Sequence, residues 1–419
     1  MASKKFVFFS AVTGNILEYY DFTVYSVFIF AISKNFFPAT SELAQTLSAL
    51  AVFALGFVTR PLGGILFGYI GDKYGRKFSL ICSMVGMTIP TFIIGLLPSY
   101  EDIGVFAPII LIIMRLMQGL CISGEGTGSA IFVLEHNNKF KPGFITGFIN
   151  ATNIIGTLIA SLIGIFINSY FAEVESAWRF AFFLGGLFGI VSFYLRLRTS
   201  ETPIFLSMIH KNKIRKSSFL EVIKISYKSM ILTFSLGGLA SLVVYIIKAY
   251  VNVFYSNLFE ISCSTSLWYT TYTSIILMIC MPLSGLASDI FGKTRVILSS
   301  CLALIILIIP TFVLMGSEDF TIRMLALTSL GILAGSIAGS AYNFVICLFA
   351  PEHRFSGVGF SYNLGVAAFG GTSPMVSKLL VAYTGLYYAP AFYIMLVTFL
   401  FMGVLYFLHI KKTIKTKSL

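Results

Sequence analysis

A charged turn that occurs twice constrains this chain more than any other feature. Residues 60–77 read RPLGGILFGYIGDKYGRK, an apolar and glycine-rich run that ends in a tight turn carrying Asp72 and Arg76. Residues 285–295 read GLASDIFGKTR and repeat the pattern, with Asp289 lying 217 residues after Asp72. An apolar run stopped by charges is typical of a membrane helix and its exit into water. Two copies, half a chain apart, predict a transporter made of two related halves.

The composition places the chain in a membrane. Hydrophobic residues make up 57% of the 419 residues and charged residues 11%, which a water-soluble globular surface does not tolerate. Of the 29 Lys and Arg, we assign 22 to the termini and alternate loops, 3 to the opposite loops and 4 to the predicted spans. Because positive charge collects on the cytoplasmic side, both termini are predicted to be cytoplasmic. The net charge of +12 therefore reflects topology rather than nucleic-acid binding.

The apolar runs predict an all-α polytopic protein with twelve transmembrane helices. The first run, residues 6–32, is too long for a signal-peptide core and lacks a small-residue cleavage site, so we expect a helix. We predict an N-terminal six-helix bundle over residues 1–198, a cytoplasmic loop over 199–229, and a C-terminal six-helix bundle with a short basic tail over 230–419. The tail shows no heptads, so we expect no osmotic gating through a coiled coil.

Three carboxyl groups fall inside predicted spans: Glu18 and Asp21 in the first helix and Glu125 in the fourth. A carboxylate near the middle of a bilayer is costly unless it is paired, hydrated or protonated. Two interpretations follow, a structural ion pair or a site that binds a proton or cation, and the sequence leaves both open.

Basic and polar residues within the spans are candidates for substrate binding. Arg60 lies twelve residues before Asp72, about 18 Å along a helix, and either pairs with Glu18 or Asp21 or binds substrate. Lys248 lies deep in the seventh helix, where it either functions or extends its ammonium to the interface. The aromatic face of Tyr19 suits a cationic group. The predicted substrate-binding residues are Tyr19, Arg60, Arg115, Gln118, Lys248, Asn252, Tyr362 and Asn363.

The first charged turn resembles the signature that the major facilitator superfamily carries between its second and third helices. Residues 14–22, GNILEYYDF, 115–126, RLMQGLCISGEG, and 362–374, YNLGVAAFGGTSP, resemble the metabolite:proton symporter branch, which includes proline/betaine porters and 2-oxoglutarate permease. Tyr19 stands where that branch usually has Trp, and Ser123 where it has Gly. The resemblance implies the major facilitator fold, with two pseudo-symmetric six-helix bundles.

The same resemblance implies that the charged turns act as latches. Asp72 is then expected to face the start of the eleventh helix near Gly357, where the helix dipole attracts a carboxylate, and Arg76 to reach Glu135. The predicted gating residues are Gly68, Asp72, Gly75, Arg76, Lys77, Glu135, Gly285, Asp289, Gly292 and Lys293.

These features favour proton-coupled uptake of a small zwitterionic osmolyte such as proline or betaine. No GxxxxGK[ST] loop is present to bind a nucleotide, so an ion gradient is the expected energy source, with protons on Glu18, Asp21 and Glu125. A proton symporter of di- or tricarboxylates, an efflux antiporter of drugs or metabolites, and a receptor remain alternatives. Scattered Cys and His residues predict no metal, cofactor or enzyme activity. We expect a monomer in a bacterial inner membrane.

Overall fold

A computed structural model describes residues 4–38, 42–136, 141–171, 173–211 and 219–417. Within these ranges the chain is almost wholly helical, and no strand is present. It divides into two compact units. The first unit contains Met1–Asn137, Thr152–Phe219 and Pro351–Phe360, and the second contains Asn138–Ala151, Leu220–Ala350 and Ser361–Leu419.

The first unit is built around one long helix, α7. Its helices α1 and α5 pack against both α7 and α9, and α4 packs against α7. An aromatic and aliphatic core that includes Tyr20, Trp178 and Phe182 lies among them. The elements from the amino terminus are α1 Lys4–Val27, α2 Ile29–Phe36, α3 Glu42–Val58, α4 Arg60–Lys73, α5 Arg76–Leu96, α6 Tyr100–Ile103, α7 Phe106–His136, α8 Pro142–Tyr170, α9 Trp178–Leu197 and α10 Pro203–His210. Helix α8 belongs to the second unit as far as Ala151.

The second unit is organised by α15, which packs against both α13 and α14. Its first span is an α-helix interrupted by two π-helical segments, Ile246–Tyr250 and Phe254–Leu258. A third π-helical segment, Val366–Gly370, lies in a later span. The remaining elements in chain order are α11 Phe219–Tyr245, α12 Val251–Val253, α13 Cys263–Phe291, α14 Lys293–Met315, α15 Phe320–Ile346, a 3₁₀ turn at Pro351–His353, α16 Arg354–Gly365, α17 Ser373–Thr384 and α18 Ala389–Lys417. The 3₁₀ turn and α16 as far as Phe360 belong to the first unit.

The described residues contain eleven helices long and apolar enough to cross a membrane, or twelve if one bent pair counts as a span. That pair is Lys5–Val27 and Ile29–Phe36, which meet at 62°, so the helix expected over residues 6–32 is bent near Phe28. The predicted all-helical, multi-span membrane fold is confirmed. The seventh span begins at Phe219, earlier than the expected Met230. Residues 212–218 of the predicted loop lie outside the described residues, and the boundaries at 199 and 229 stay a prediction.

Both charged turns depend on a glycine with a left-handed backbone. Gly75 lies between α4 and α5 with φ +116°, and Gly292 lies between α13 and α14 with φ +95°. Residues with a Cβ rarely adopt these angles, so glycine is needed for so short a reversal. The two copies of the sequence pattern therefore have the same local conformation, and each places an aspartate at the end of a helix.

Candidate functional site

The three intramembrane acids line one small cavity in the first unit. Glu18 and Asp21 reach it from α1 and Glu125 reaches it from α7, and all three carboxyl groups are buried. The cavity measures about 20 Å³, which is room for about one water molecule. The structure therefore brings together the residues predicted for proton coupling.

Glu125 has a partner that the sequence did not reveal. Arg196 from α9 donates to Oε1 of Glu125, and the same guanidinium donates to Ser129 at 3.1 Å. Ser129 in turn donates to Oε1 of Glu125 at 2.6 Å. Arg196 stands at the end of a predicted span, where a basic residue is ordinary, so no sequence signal marked it as buried. For Glu125, the structural ion pair is the arrangement observed.

Glu18 and Asp21 are less well satisfied. Both carboxyl oxygens of Glu18 are buried without a hydrogen-bond partner among the described residues. Among the described residues, Asp21 accepts one hydrogen bond, from Thr91 Oγ1 to its Oδ2 at 3.2 Å, while its Oδ1 accepts none. A buried carboxyl group without partners is costly in its charged form. The environment of Glu18 and Asp21 therefore suits carboxyl groups that gain and lose a proton.

Arg60 and Arg115 lie against aromatic rings instead of these acids. The guanidinium carbon of Arg60 is 4.7 Å from the ring centre of Phe22, and that of Arg115 is 5.1 Å from the same ring and 4.0 Å from Tyr25. Neither forms an ion pair with Glu18 or Asp21 among the described residues, although Arg60 lies near enough to Glu18 to act on its charge, so both alternatives for Arg60 stay predictions. Cation–π contact holds both side chains in place. Tyr19 is half-buried in the same unit.

Polar side chains connect Arg115 to Asp21. Arg115 Nη1 donates to Gln118 Oε1 at 2.8 Å, and Gln118 Nε2 donates to Thr91 Oγ1 at 2.8 Å. Thr91 then donates to Asp21 as described. Gln118, predicted to bind substrate, thus lies between Arg115 and Asp21 in this series of hydrogen bonds. The sequence analysis did not select Thr91, because threonine is common within membrane spans.

The other predicted substrate residues lie in the second unit. Lys248 is half-buried within the π-helix Ile246–Tyr250, and Asn252 follows one turn later. Tyr362 and Asn363 are buried on α16, where the ring of Tyr362 lies 4.9 Å from that of Tyr342. Their roles stay predictions.

The first charged turn, the proposed first latch, has the contacts that the family resemblance implies. Asp72 accepts hydrogen bonds from the backbone N–H groups of Phe355 at 3.1 Å and Ser356 at 2.9 Å, at the start of α16. Gly68 and Gly64 lie against this segment so closely that an added Cβ would collide with the backbone of Ser356 and Gly359, respectively. The carboxylate therefore meets the amino-terminal end of a helix, where the dipole favours it.

Arg76 forms the buried centre of the same latch. Its Nε lies 3.2 Å from Glu135, its Nη1 lies 3.7 Å from Asp72, and its Nη2 donates to the Pro351 carbonyl at 2.6 Å. Arg354, which the sequence analysis missed, binds the other oxygen of Glu135 at 2.9 Å. One glutamate is thus shared by two arginines, and the network ties α5, α7 and the start of α16 together.

The second latch repeats the first with fewer charges. Asp289 accepts from the backbone N–H groups of Gly143 at 2.7 Å and Phe144 at 2.9 Å, near the start of α8. Gly285 lies against the backbone of Gly143, as Gly68 does against Ser356. Lys293, at the position of Arg76, donates to Cys347 at 2.7 Å. The carboxylate contact is common to both turns, whereas the paired arginine network was found only around Glu135 within the described ranges.

Glu201, in the sequence TSETPIF, supports the first turn from outside the spans. Its carboxylate accepts from the backbone N–H groups of Arg76 at 3.2 Å and Lys77 at 3.0 Å, so it caps α5. Burial raises the pKa of the Glu201 carboxyl, while the backbone amides of Thr202 and Lys77 act in the opposite direction. The side chain of Lys77 extends to the Leu197 carbonyl at 2.8 Å.

No group of three or more His, Cys, Asp or Glu side chains able to hold a metal occurs in the part of the chain that the structure describes. What the fold and site define is a multi-span membrane transporter with charged turns and a buried acid cluster. The chain belongs to the Major Facilitator Superfamily, whose family model matches residues 11–371. The resemblance and the prediction of a transporter rather than an enzyme are confirmed.

Curated relatives match over most of the chain. It is 31% identical over 418 residues to the glycine betaine/proline/ectoine/pipecolic acid transporter OusA of Dickeya dadantii, covering 96% of this chain and 82% of that protein. It is 32% identical over 402 residues to the proline/betaine transporter of Escherichia coli K12, covering 93% and 80%. A putative proline/betaine transporter of Staphylococcus aureus is 29% identical over 402 residues, covering 95% and 86%.

Solved structures share the fold. The proton:xylose symporter XylE superposes with a TM-score of 0.76 at 19% identity, covering 96% of this chain and 95% of that chain. The human organic anion transporter MFSD10 superposes with a TM-score of 0.68 at 14% identity, covering 97% and 100%. At these identities the likeness is one of fold.

Proposed function

We propose that this chain takes up a small zwitterionic osmolyte, such as proline or betaine, together with protons. The relatives named as proline/betaine transporters support the substrate class, because they match nearly the whole chain at about one third identity. A carrier of this kind exposes its binding site to one side of the membrane and then to the other. No nucleotide-binding motif is present in the sequence, so the energy comes from an ion gradient.

The observation that carries the proposal is the cluster of carboxyl groups around the small cavity. Glu18, Asp21 and Glu125 are all buried, and Arg196 is the sole base that forms an ion pair with any of them among the described residues. The other two acids, Glu18 and Asp21, have no ion-pair partner there, and binding a proton relieves the cost of a charged carboxyl group in an apolar interior. Glu18 and Asp21 are the groups we assign to proton binding, with Glu125 held by its ion pair.

The substrate carboxylate requires donors. The Nε and Nη2 groups of both Arg60 and Arg115 are buried without hydrogen-bond partners among the described residues, so they can receive an anionic group. Tyr19 in the first unit and Lys248, Asn252, Tyr362 and Asn363 in the second stay candidates for the rest of the substrate.

The proposed setting is a bacterial inner membrane with both termini in the cytoplasm. The charge distribution along the sequence supports this orientation. We propose two six-helix halves, residues 1–198 and 230–419, joined by a cytoplasmic segment, and a functional monomer that needs no nucleic acid or nucleotide.

Uptake by purified protein in proteoliposomes tests the function. Labelled proline, betaine, 2-oxoglutarate and citrate are supplied outside, with and without an imposed pH gradient that is acidic outside. We expect proline or betaine to accumulate and the gradient to accelerate uptake. Indifference to the gradient would remove the proton coupling, a preference for 2-oxoglutarate or citrate would remove the substrate class, and binding without flux would indicate a receptor.

A further inference from the structure

Four fully buried side chains of the first unit form a continuous hydrogen-bonded row. Arg115 donates to Gln118, Gln118 donates to Thr91, and Thr91 donates to Asp21, at 2.8, 2.8 and 3.2 Å. Exposed side-chain fractions are 0% for Arg115, Gln118 and Thr91 and 3% for Asp21, so bulk water does not compete for these bonds. We propose that Thr91 and Gln118 are positioning residues that transmit the protonation of Asp21 to the guanidinium of Arg115. This inference rests on the proposed function.

Elementary chemistry fixes the direction of the row. A guanidinium has donors and no acceptor, so Gln118 must turn its carbonyl oxygen to Arg115. Its amide nitrogen then faces Thr91, and the Thr91 oxygen must accept. The single hydroxyl hydrogen of Thr91 is thereby directed away from Gln118. Within the row, the hydroxyl hydrogen of Thr91 is the one that can turn between two acceptors.

Thr91 lies within reach of two acceptors. Its oxygen is 3.2 Å from Asp21 Oδ2 and 3.0 Å from the backbone carbonyl of Met87, one turn earlier on α5. An ionised Asp21 is the stronger acceptor and draws the hydrogen. When Asp21 is protonated, the hydrogen can turn to Met87. Because hydrogen bonds in a row strengthen one another, the turn weakens the bonds of Gln118 to Thr91 and of Arg115 to Gln118.

The charged and titratable groups around Asp21 come from each helix that packs near it. Helix α1 packs against α5, α7 and α9. Helix α5 provides the hydroxyl of Thr91 but places no titratable side chain at the cavity. Glu125 is engaged by Arg196, which leaves Thr91 as the donor that Asp21 has among the described residues. Glu18 and Tyr20 on α1 interact with Asp21, and Cys121 and Glu125 on α7 share its cavity. Arg60 on α4 and Arg196 on α9 act on Glu18, and Arg115 on α7 stands beside Tyr25 at the far end of the row.

Releasing Arg115 has a direct use in uptake. Its Nε and Nη2 groups have no hydrogen-bond partner among the described residues, and Tyr25 holds the guanidinium from its face. A proton on Asp21 then frees a third donor, Nη1, for the carboxylate of the substrate. Binding of the proton therefore strengthens binding of the substrate, which is the order that coupled uptake requires.

A titration without substrate tests the row itself. The carboxyl band of Asp21, assigned with Asp21→Asn, is followed by infrared spectroscopy across a pH series in native protein and variants. Thr91→Val removes the hydroxyl at constant shape, and Gln118→Met breaks the row without touching Asp21. We expect both to displace the midpoint by about half a pH unit or more. Thr91→Ser keeps the hydroxyl and should titrate as native protein does.

Thr398→Val is the matched control, because Thr398 is also fully buried and donates to a carbonyl of its own helix, Ile394, at 2.7 Å. If the Asp21 midpoint in Gln118→Met equals that of native protein, the proposal is overturned. A displaced midpoint in Thr91→Val would not rescue it, because Thr91 contacts Asp21 directly and its removal has a local effect. If Thr91→Val fails to fold, Gln118→Met decides alone.

Substrate affinity supplies the second readout. Equilibrium binding of labelled proline, with no gradient, is measured across the same pH series. We expect native affinity to change by at least about fivefold and the change to fall below about twofold in Thr91→Val and Gln118→Met. An unchanged pH profile in both variants would contradict transmission to Arg115. Native uptake that ignores a pH gradient would contradict the proposed function, while the infrared midpoints still decide whether the row exists.

Discussion

Glu18, Asp21 and Glu125 share one cavity, yet the surroundings of each carboxyl group differ. Glu125 is held by Arg196 and Ser129, and Asp21 has the hydroxyl of Thr91. Glu18 has no hydrogen-bond partner among the described residues. Because the charged form of a carboxyl group is least stabilised where hydrogen-bond partners are fewest, we propose that Glu18 carries a proton between the two sides of the membrane.

Replacing Glu18 with glutamine should separate transport from its driving force. The neutral amide resembles the protonated carboxyl group in shape, so we expect Glu18→Gln to fold and to exchange labelled for unlabelled substrate in proteoliposomes. It should lose the acceleration that an imposed pH gradient gives. The measurement is initial uptake with and without the gradient. Glu101→Gln, at an exposed position on α6, is the control. Full acceleration in Glu18→Gln would assign the proton to another group.

Removing Arg196 should destabilise the protein rather than its coupling alone. Arg196→Gln leaves Glu125 buried without its base, and breaking a buried ion pair from one side typically costs about 3–5 kcal/mol. We expect a clearly lower midpoint of thermal unfolding in detergent. Arg198→Gln, two residues further along and exposed, should unfold as the native protein does. Equal midpoints for the two variants would mean that the pair adds no net stability.

The residue types at this site were predictable, but their partners were not. Acids in the middle of apolar runs are conspicuous, so Glu18, Asp21 and Glu125 could be selected from the sequence. Arg196 lies at the end of a span, where a basic residue signals only the cytoplasmic side. The environment of Arg60 depends on the Phe22 and Phe57 rings, which other apolar side chains in the same runs resemble.

At the scale of helices, each charged turn brings a carboxylate to the start of another helix. Asp72 accepts two backbone N–H groups at α16, and Asp289 accepts two at α8. The amino-terminal N–H groups of a helix have no partner within it, so they attract a negative charge. The two contacts follow from the same sequence pattern and have the same geometry.

Neutralising either aspartate should slow transport. Asn has one acceptor oxygen and no charge, and hydrogen bonds to charged groups contribute about 1.5–3 kcal/mol each. We expect Asp72→Asn and Asp289→Asn to reduce the rate of uptake by about tenfold while substrate binding stays measurable. The measurement is uptake by vesicles with matched protein content.

Asp319→Asn serves as the control for these variants. Asp319 also accepts a backbone N–H, that of Ile322 at 2.9 Å, at the start of α15, but it is exposed. Its replacement should leave the rate close to native. Rates equal to native in both latch variants would reject the gating role of the turns.

The elements were predictable where the cause is local. The positive φ of Gly75 and Gly292 follows from a short motif whose residues dictate the turn. The contact of Asp72 with the start of α16 is not local, and it was expected only from the resemblance to the family. No Pro or Gly lies within the bend between α1 and α2 or within the π-helix that contains Lys248, so neither irregularity could be predicted from the sequence. They depend on packing between helices, which a single sequence does not display.

For the whole molecule, the distribution of charge predicts the orientation in the membrane. Of the 29 basic residues, 22 fall in the termini and alternate loops. We expect tags at both termini to be protected from protease in right-side-out vesicles and cleaved in inverted ones. A tag in the loop near Arg179, on the side with few charges, should show the reverse. Cleavage of a terminal tag in right-side-out vesicles would contradict the orientation.

Where Gly64 and Gly68 face the start of α16, two bare stretches of backbone meet with no side chain between them. A single methyl group at either glycine would act as a wedge at this contact, although it would carry no charge and remove no hydrogen-bonding atom. The hydrogen bonds of the Asp72 carboxylate to Phe355 and Ser356 therefore require that no Cβ atom is present at the two glycines, which lie one and two helical turns before Asp72.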